Sequence, residues 1–163
     1  MDAVEFHREP PANVPTMVVA FGGWIDAGEA ATGAMRYLVR QLAASPLAAI
    51  DPEDFFDFTQ VRPVVRLTAE GQRTIRWPRS AFWTWQPPER RAGLLLFRGL
   101  EPQRRWRTYA TLLLDVAAQC GVQRIVSLGV TACNPNAPGL QSSCSRDHIK
   151  CLYHPCQDHI ICH

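Results

Sequence analysis

The stretch "MVVAFGGWIDAGEAATGAMRYLVRQL", residues 17–42, reads as a short apolar strand, a tight glycine turn and an amphipathic helix. Such a unit binds phosphate when the amides at the helix start are free, because those N–H groups and the helix dipole both favour negative charge. Here Asp26 stands at the capping position and Glu29 follows three residues later, the spacing of a capping box in which two side chains satisfy the orphan donors. Two carboxylates then sit where a phosphate would go. The phosphate-loop string G-x-x-x-x-G-K-[ST] is missing, and Gly22, Gly23 and Gly28 do not make G-x-G-x-x-G. The stretch is read as a capped helix after a turn that needs small residues, and not as a nucleotide loop.

Outward from this unit, the chain of 163 residues is long enough for one domain with a sizeable core, and 47% hydrophobic with 20% charged residues is ordinary for a globular protein. A net charge of +2, with arginines scattered apart from Arg90-Arg91 and Arg104-Arg105, gives no basic stripe for nucleic acid. The first residues, "MDAVEFHREPPANVP", carry acids and prolines where a signal peptide has a basic start and an apolar run. No later run approaches the roughly 18 apolar residues of a membrane span. A cytoplasmic protein with no membrane and no nucleic-acid partner is expected.

Residues 1–15 form an extended N-terminal segment and 16–130 an α/β domain. Thr16–Phe21 read as a buried strand, and a helix over about 27–42 puts Ala31, Ala34, Met35, Leu38, Val39 and Leu42 on one face. "SPLAAIDPEDFFDF" (45–58) suggests a turn and a short helix opening at Asp51-Pro52. "VRPVVRL" and "RTIRW" flank the turn "TAEGQ" as a hairpin with one solvated face, Val65, Leu67, Ile75 and Trp77 being its apolar members. "GLLLF" (93–97) is a central strand, followed by a second amphipathic helix with Leu112, Val116 and either Leu113 or Cys120 inward. "VQRIVSLGV" (122–130) is another buried strand. Strands alternating with long helices predict a three-layer α/β/α sandwich on a mixed sheet.

The strings "FGGWIDAGEAA", "IDPEDFFDFTQVRPVV", "GQRTIRWP", "LLLFRGLEPQRRWRTY" and "CGVQRIVSLGV", in this order and spacing over about residues 16–130, resemble the proteasome assembly chaperone type 2 family. The resemblance implies a nucleoside phosphorylase/hydrolase-like fold, homo-oligomers, and protein partners such as proteasome subunits. It implies a non-catalytic binding protein more than an enzyme, although some family members carry a carboxylate–amine ligase label. It also implies roughly another half-domain after residue 130, so the fold is expected to be C-terminally truncated.

Residues 131–163 take that place and differ in usage: five of the six cysteines, four of the five histidines and the single lysine fall there. A shifted reading frame or a premature end of the gene model is the leading explanation. The rival is zinc, held by the Cys-x-x-His pairs Cys151/His154 and Cys156/His159. No other cofactor is implied.

Catalysis by the domain would rest on carboxylates, since His7 and Cys120 make no nucleophile–base pair. A small-molecule enzyme of carboxylate–amine ligase or nucleoside-processing type would use a crevice of Gly22, Gly23, Asp26, Glu29, Glu101 and Trp106 at the loops after strand ends. The simpler roles are capping for Asp26 and Glu29, and for Glu101 the start of the second helix. A contact surface is expected at "WPRSAFWTWQPPERR", where Trp77, Phe82, Trp83 and Trp85 with nearby arginines have an interface composition.

Overall fold

The computed structural model describes residues 3–89 and 92–130. Eight strands and two α-helices follow in the order β1 (Val4–Phe6), β2 (Thr16–Gly22), α1 (Ala30–Gln41), β3 (Ser45–Ile50), β4 (Val64–Leu67), β5 (Arg73–Arg76), β6 (Ser80–Trp85), β7 (Leu94–Leu100), α2 (Trp106–Gln119) and β8 (Arg124–Leu128). Six strands form one mixed sheet in the order β1-β3-β6-β7-β2-β8, and β4 and β5 pair separately as a hairpin. Strand β2 runs parallel to both β7 and β8, while β6 is antiparallel to β7 and β3.

Side-chain alternation divides the core in two. Met17, Val19, Leu95, Phe97 and Phe82 meet Tyr109, Leu113, Val116, Ala117 and Cys120 of α2 on one face. On the other face, Ala20 and Leu96 meet Ala31 and Met35 of α1, with Leu38, Val39 and Leu42 at its margin. A helix therefore covers each face of the sheet. Tyr109 anchors α2: its buried phenol donates to the Ser80 hydroxyl, and burial holds its pKa well above the usual phenol value. This contact is allowed because residue 99 is glycine; a Cβ there would lie 2.7 Å from the Tyr109 oxygen and 2.8 Å from Phe97. Gly99→Ala should cost about 1–3 kcal/mol by overpacking, measured as a lower denaturation midpoint.

Several expectations change. The segment Ser45–Ile50 is a strand between β1 and β6, because Leu47, Ala48 and Ile50 find core partners in extended conformation, and only turns follow it. The Asp51 carboxylate accepts from the Glu53 amide, so the Asp-Pro pair starts a turn and no helix. The N-terminal segment is pinned: Val4–Phe6 pair with β3, Val14 is buried, and the His7 amide donates to the Leu47 carbonyl at 2.8 Å. Strand β8 is an edge strand among the described residues and is largely exposed, not buried. All eight residues of the hairpin strands are exposed, so neither face is covered. The Arg90-Arg91 pair lies outside the described residues, and no described helix is long and apolar enough to cross a membrane.

Cys120 ends α2 with its thiol buried, and burial pushes its pKa up. Iodoacetamide at neutral pH should leave Cys120 unlabelled in the native protein and label it after unfolding, read by peptide mass mapping.

Candidate functional site

Strand β2 leads to α1 on one face of the sheet, and its parallel neighbour β7 leads to α2 on the other. The chain thus leaves the carboxyl ends of adjacent strands in opposite directions, which is where open α/β sheets open a ligand crevice. Gly22, Gly23, Asp26 and Glu101 meet at this point. The Glu101 amide donates to the Gly22 carbonyl at 3.0 Å. Gly23 has φ +147°, and a Cβ on it would lie 2.7 Å from the carboxyl carbon of Glu101. The Glu101 side chain therefore lies directly on the glycine turn.

Asp26 fills the other side. A one-turn 3-10 helix, Ala27–Glu29, precedes α1, so the helix starts later than its amphipathic pattern suggests. The Asp26 carboxylate reaches across this turn to accept from the amides of Ala31 at 2.8 Å and Thr32 at 3.1 Å, and from the Thr32 hydroxyl. It is only 8% exposed. The anion position at the helix start is taken by the chain's own acid.

The capping box itself does not form. Glu29 sits in the left-handed region at φ 55° and points outward to Arg36, 2.9 Å away. Glu101 does not begin α2 either; that helix opens at Trp106 after Arg105, which is itself left-handed at φ 53°. Trp106 is half-exposed, as is Trp77, while Trp24, in the glycine turn, is 88% exposed. In the sequence, only the position of Trp24 between Gly23 and Asp26 points to it.

The four aromatic residues proposed as a contact surface separate. Phe82 is fully buried, its ring 4.7 Å from that of Phe97, because its position in β6 points toward α2; it is core and not surface. Trp83 points to the opposite face, packs beside the α1 cluster and lies under the Arg98 guanidinium at 5.8 Å. Trp85 is partly buried and lines a shallow groove with Leu42 and Ala43. Only Trp77 remains open, its ring edge-on to Phe58 at 5.0 Å.

Trp77 continues the alternation of β5, which places it with Ile75 on the hairpin face that also carries Val65 and Leu67. Val65, Ile75 and Leu67 are 59%, 59% and 70% exposed. The reverse face holds Val64, Arg66, Thr74 and Arg76. Single exposed apolar residues are commonplace; here four share one face of the hairpin, with Arg73 opposite Leu67 on the same face.

Cys151, His154, Cys156 and His159, the zinc candidates, lie outside the described residues. Among the described residues no group of three His, Cys, Asp or Glu side chains is placed to hold a metal ion.

The family model for the PAC2 family matches residues 20–147. A PAC2 family protein from Streptomyces avermitilis is 42% identical, with a TM-score of 0.66 over 71% of this chain and 49% of that one. A proteasome-assembly chaperone homologue from Mycobacterium tuberculosis is 37% identical, with a TM-score of 0.64 over 70% and 48%. A protein of unknown function from Corynebacterium glutamicum shares the fold at 21% identity, with a TM-score of 0.65 over 80% and 51%. No curated protein matches the chain. The chain spans about half the length of the solved structures it resembles. With a matched segment that runs from β2 through α1, β7, α2 and β8, this chain belongs to the PAC2 family.

Proposed function

We propose that the chain acts by protein–protein contact, as part of an assembly-chaperone-like protein, and that the exposed apolar face of the β4–β5 hairpin is its docking surface. The observation that carries this reading is the hairpin itself. Val65, Leu67, Ile75 and Trp77 stand side by side in water, and a two-stranded hairpin gains little from such residues unless a partner covers them. The crevice supports the same reading. The Asp26 carboxylate already takes the Ala31 and Thr32 amides at the helix start, and the Glu101 side chain lies on the Gly23 turn, so acids stand where a phosphate would sit. The relative described as a proteasome-assembly chaperone homologue makes proteasome subunits the first partner to try, with self-association of the chain as the second.

The test pairs Leu67→Glu with Ile75→Glu in the full chain and measures binding to purified proteasome subunits of the source organism and the solution mass of the chain alone. The double variant should lose at least about tenfold in affinity or in association constant, since two charges would be desolvated at the contact. Its unfolding midpoint should stay close to wild type because both positions are exposed. Unchanged binding and mass would remove the hairpin from the account. Stabilisation of the wild type by a nucleoside or amino acid, lost in Glu101→Ala, would favour the small-molecule enzyme instead.

A further inference from the structure

Arg98, on β7, has an unusual setting. Its register partners are Ala20 of β2 on one side and Ala81 of β6 on the other, and the same row continues to Ala49 of β3. The guanidinium therefore emerges on the α1 face from a line of methyl groups, with the Trp83 ring beneath it. No cross-strand neighbour in this row can neutralise it. Among the described residues, no carboxylate lies within ion-pairing reach of Arg98. Burial holds its pKa below the usual guanidinium value, and two further arginines near enough to act on it, Arg36 on α1 and Arg76 at the end of the hairpin, lower it further. Arginine nevertheless stays charged, so the half-buried Arg98 cation remains an electrostatic cost with no carboxylate of its own, while Arg36 keeps its pair with Glu29.

We infer that Arg98, Arg36 and Arg76 form a binding site for an oxyanion, a phosphate or carboxylate group, on the α1 face of the sheet beside Trp83. The forked guanidinium of Arg98 takes two oxygens of the group, and the other two arginines supply charge from its flanks. Arg36 is already directed by its ion pair with Glu29, 2.9 Å away, which holds it along the helix. The site is separate from the glycine turn, where Asp26 and Glu101 repel the same group, and it does not depend on the docking role of the hairpin.

Thermal unfolding of the full chain is followed in inorganic phosphate, pyrophosphate or citrate against chloride at equal ionic strength. A saturable rise in midpoint on the order of 5 °C at high excess is expected for at least one oxyanion. Arg98→Gln should abolish the rise, and Arg98→Lys should retain part of it. Arg36→Gln, at an exposed position, should weaken it without unfolding the domain, and Arg40→Gln, on the same helix outside the cluster, should leave it intact. A response to the phosphates alone assigns a phosphate-bearing ligand, and a response to citrate alone a carboxylate. The site is overturned if no oxyanion exceeds chloride, or if Arg98→Gln and Arg36→Gln both respond as wild type does.

Discussion

Phe82→Ala is expected to lower the stability of the domain by about 3–5 kcal/mol, read as a large fall in the urea midpoint. The ring is fully buried between the sheet and α2, and it packs on Phe97 at a centroid distance of 4.7 Å. Its loss leaves a cavity at the middle of the larger core cluster, in a layer where Phe97 also touches Phe21. Trp77→Ala provides the contrast. It removes one edge contact with Phe58 from a half-exposed position and should cost no more than about 1 kcal/mol. A small effect at Phe82 would mean that the sheet face toward α2 is not packed as described.

Asp26→Ala is the second substitution with a large expected effect. Loss of a helix cap costs about 0.5–2 kcal/mol, but here the carboxylate satisfies two amides and one hydroxyl at residues that are themselves buried. Removing it leaves all three donors without a partner, so a total of about 2–4 kcal/mol is expected in chemical denaturation. Asp26→Asn keeps one acceptor oxygen and should fall between alanine and wild type. Glu29→Ala, by contrast, removes an exposed pair with Arg36 and should change stability by less than about 1 kcal/mol. A capping box would make the two losses similar.

The contrast between Asp26 and Glu29 shows how far the sequence could be read. Carboxylate spacing identified the acid that closes the helix start, because a short side chain before an amphipathic run has few other uses. It could not show that a 3-10 turn with a left-handed Glu29 intervenes, since that depends on Val130 of the distant β8 end accepting from the Ala27 amide. The central strands β2 and β7 were legible from their apolar runs. Segment 45–50 was not, since its proline and short apolar string suit a turn as well as a strand until β1 and β6 pair with it on either side. Residues 80–85 failed for a different reason. Composition alone grouped Phe82 with Trp83 and Trp85, whereas the period of two in a strand sends Phe82 to one core and Trp83 to the other. The exposure of the hairpin's apolar face was equally hidden, because alternation predicts one covered face and only tertiary structure shows whether anything covers it.

Central to this account is the occupation of the glycine turn by Glu101 and Asp26, which turns a nucleotide-like layout into a surface for other work. The most direct test titrates ADP into isotopically labelled Arg98→Gln protein and follows the backbone amide resonances of Gly22 and Gly23. The account predicts that both stay unchanged up to millimolar ligand; a saturable shift at these two glycines would contradict it.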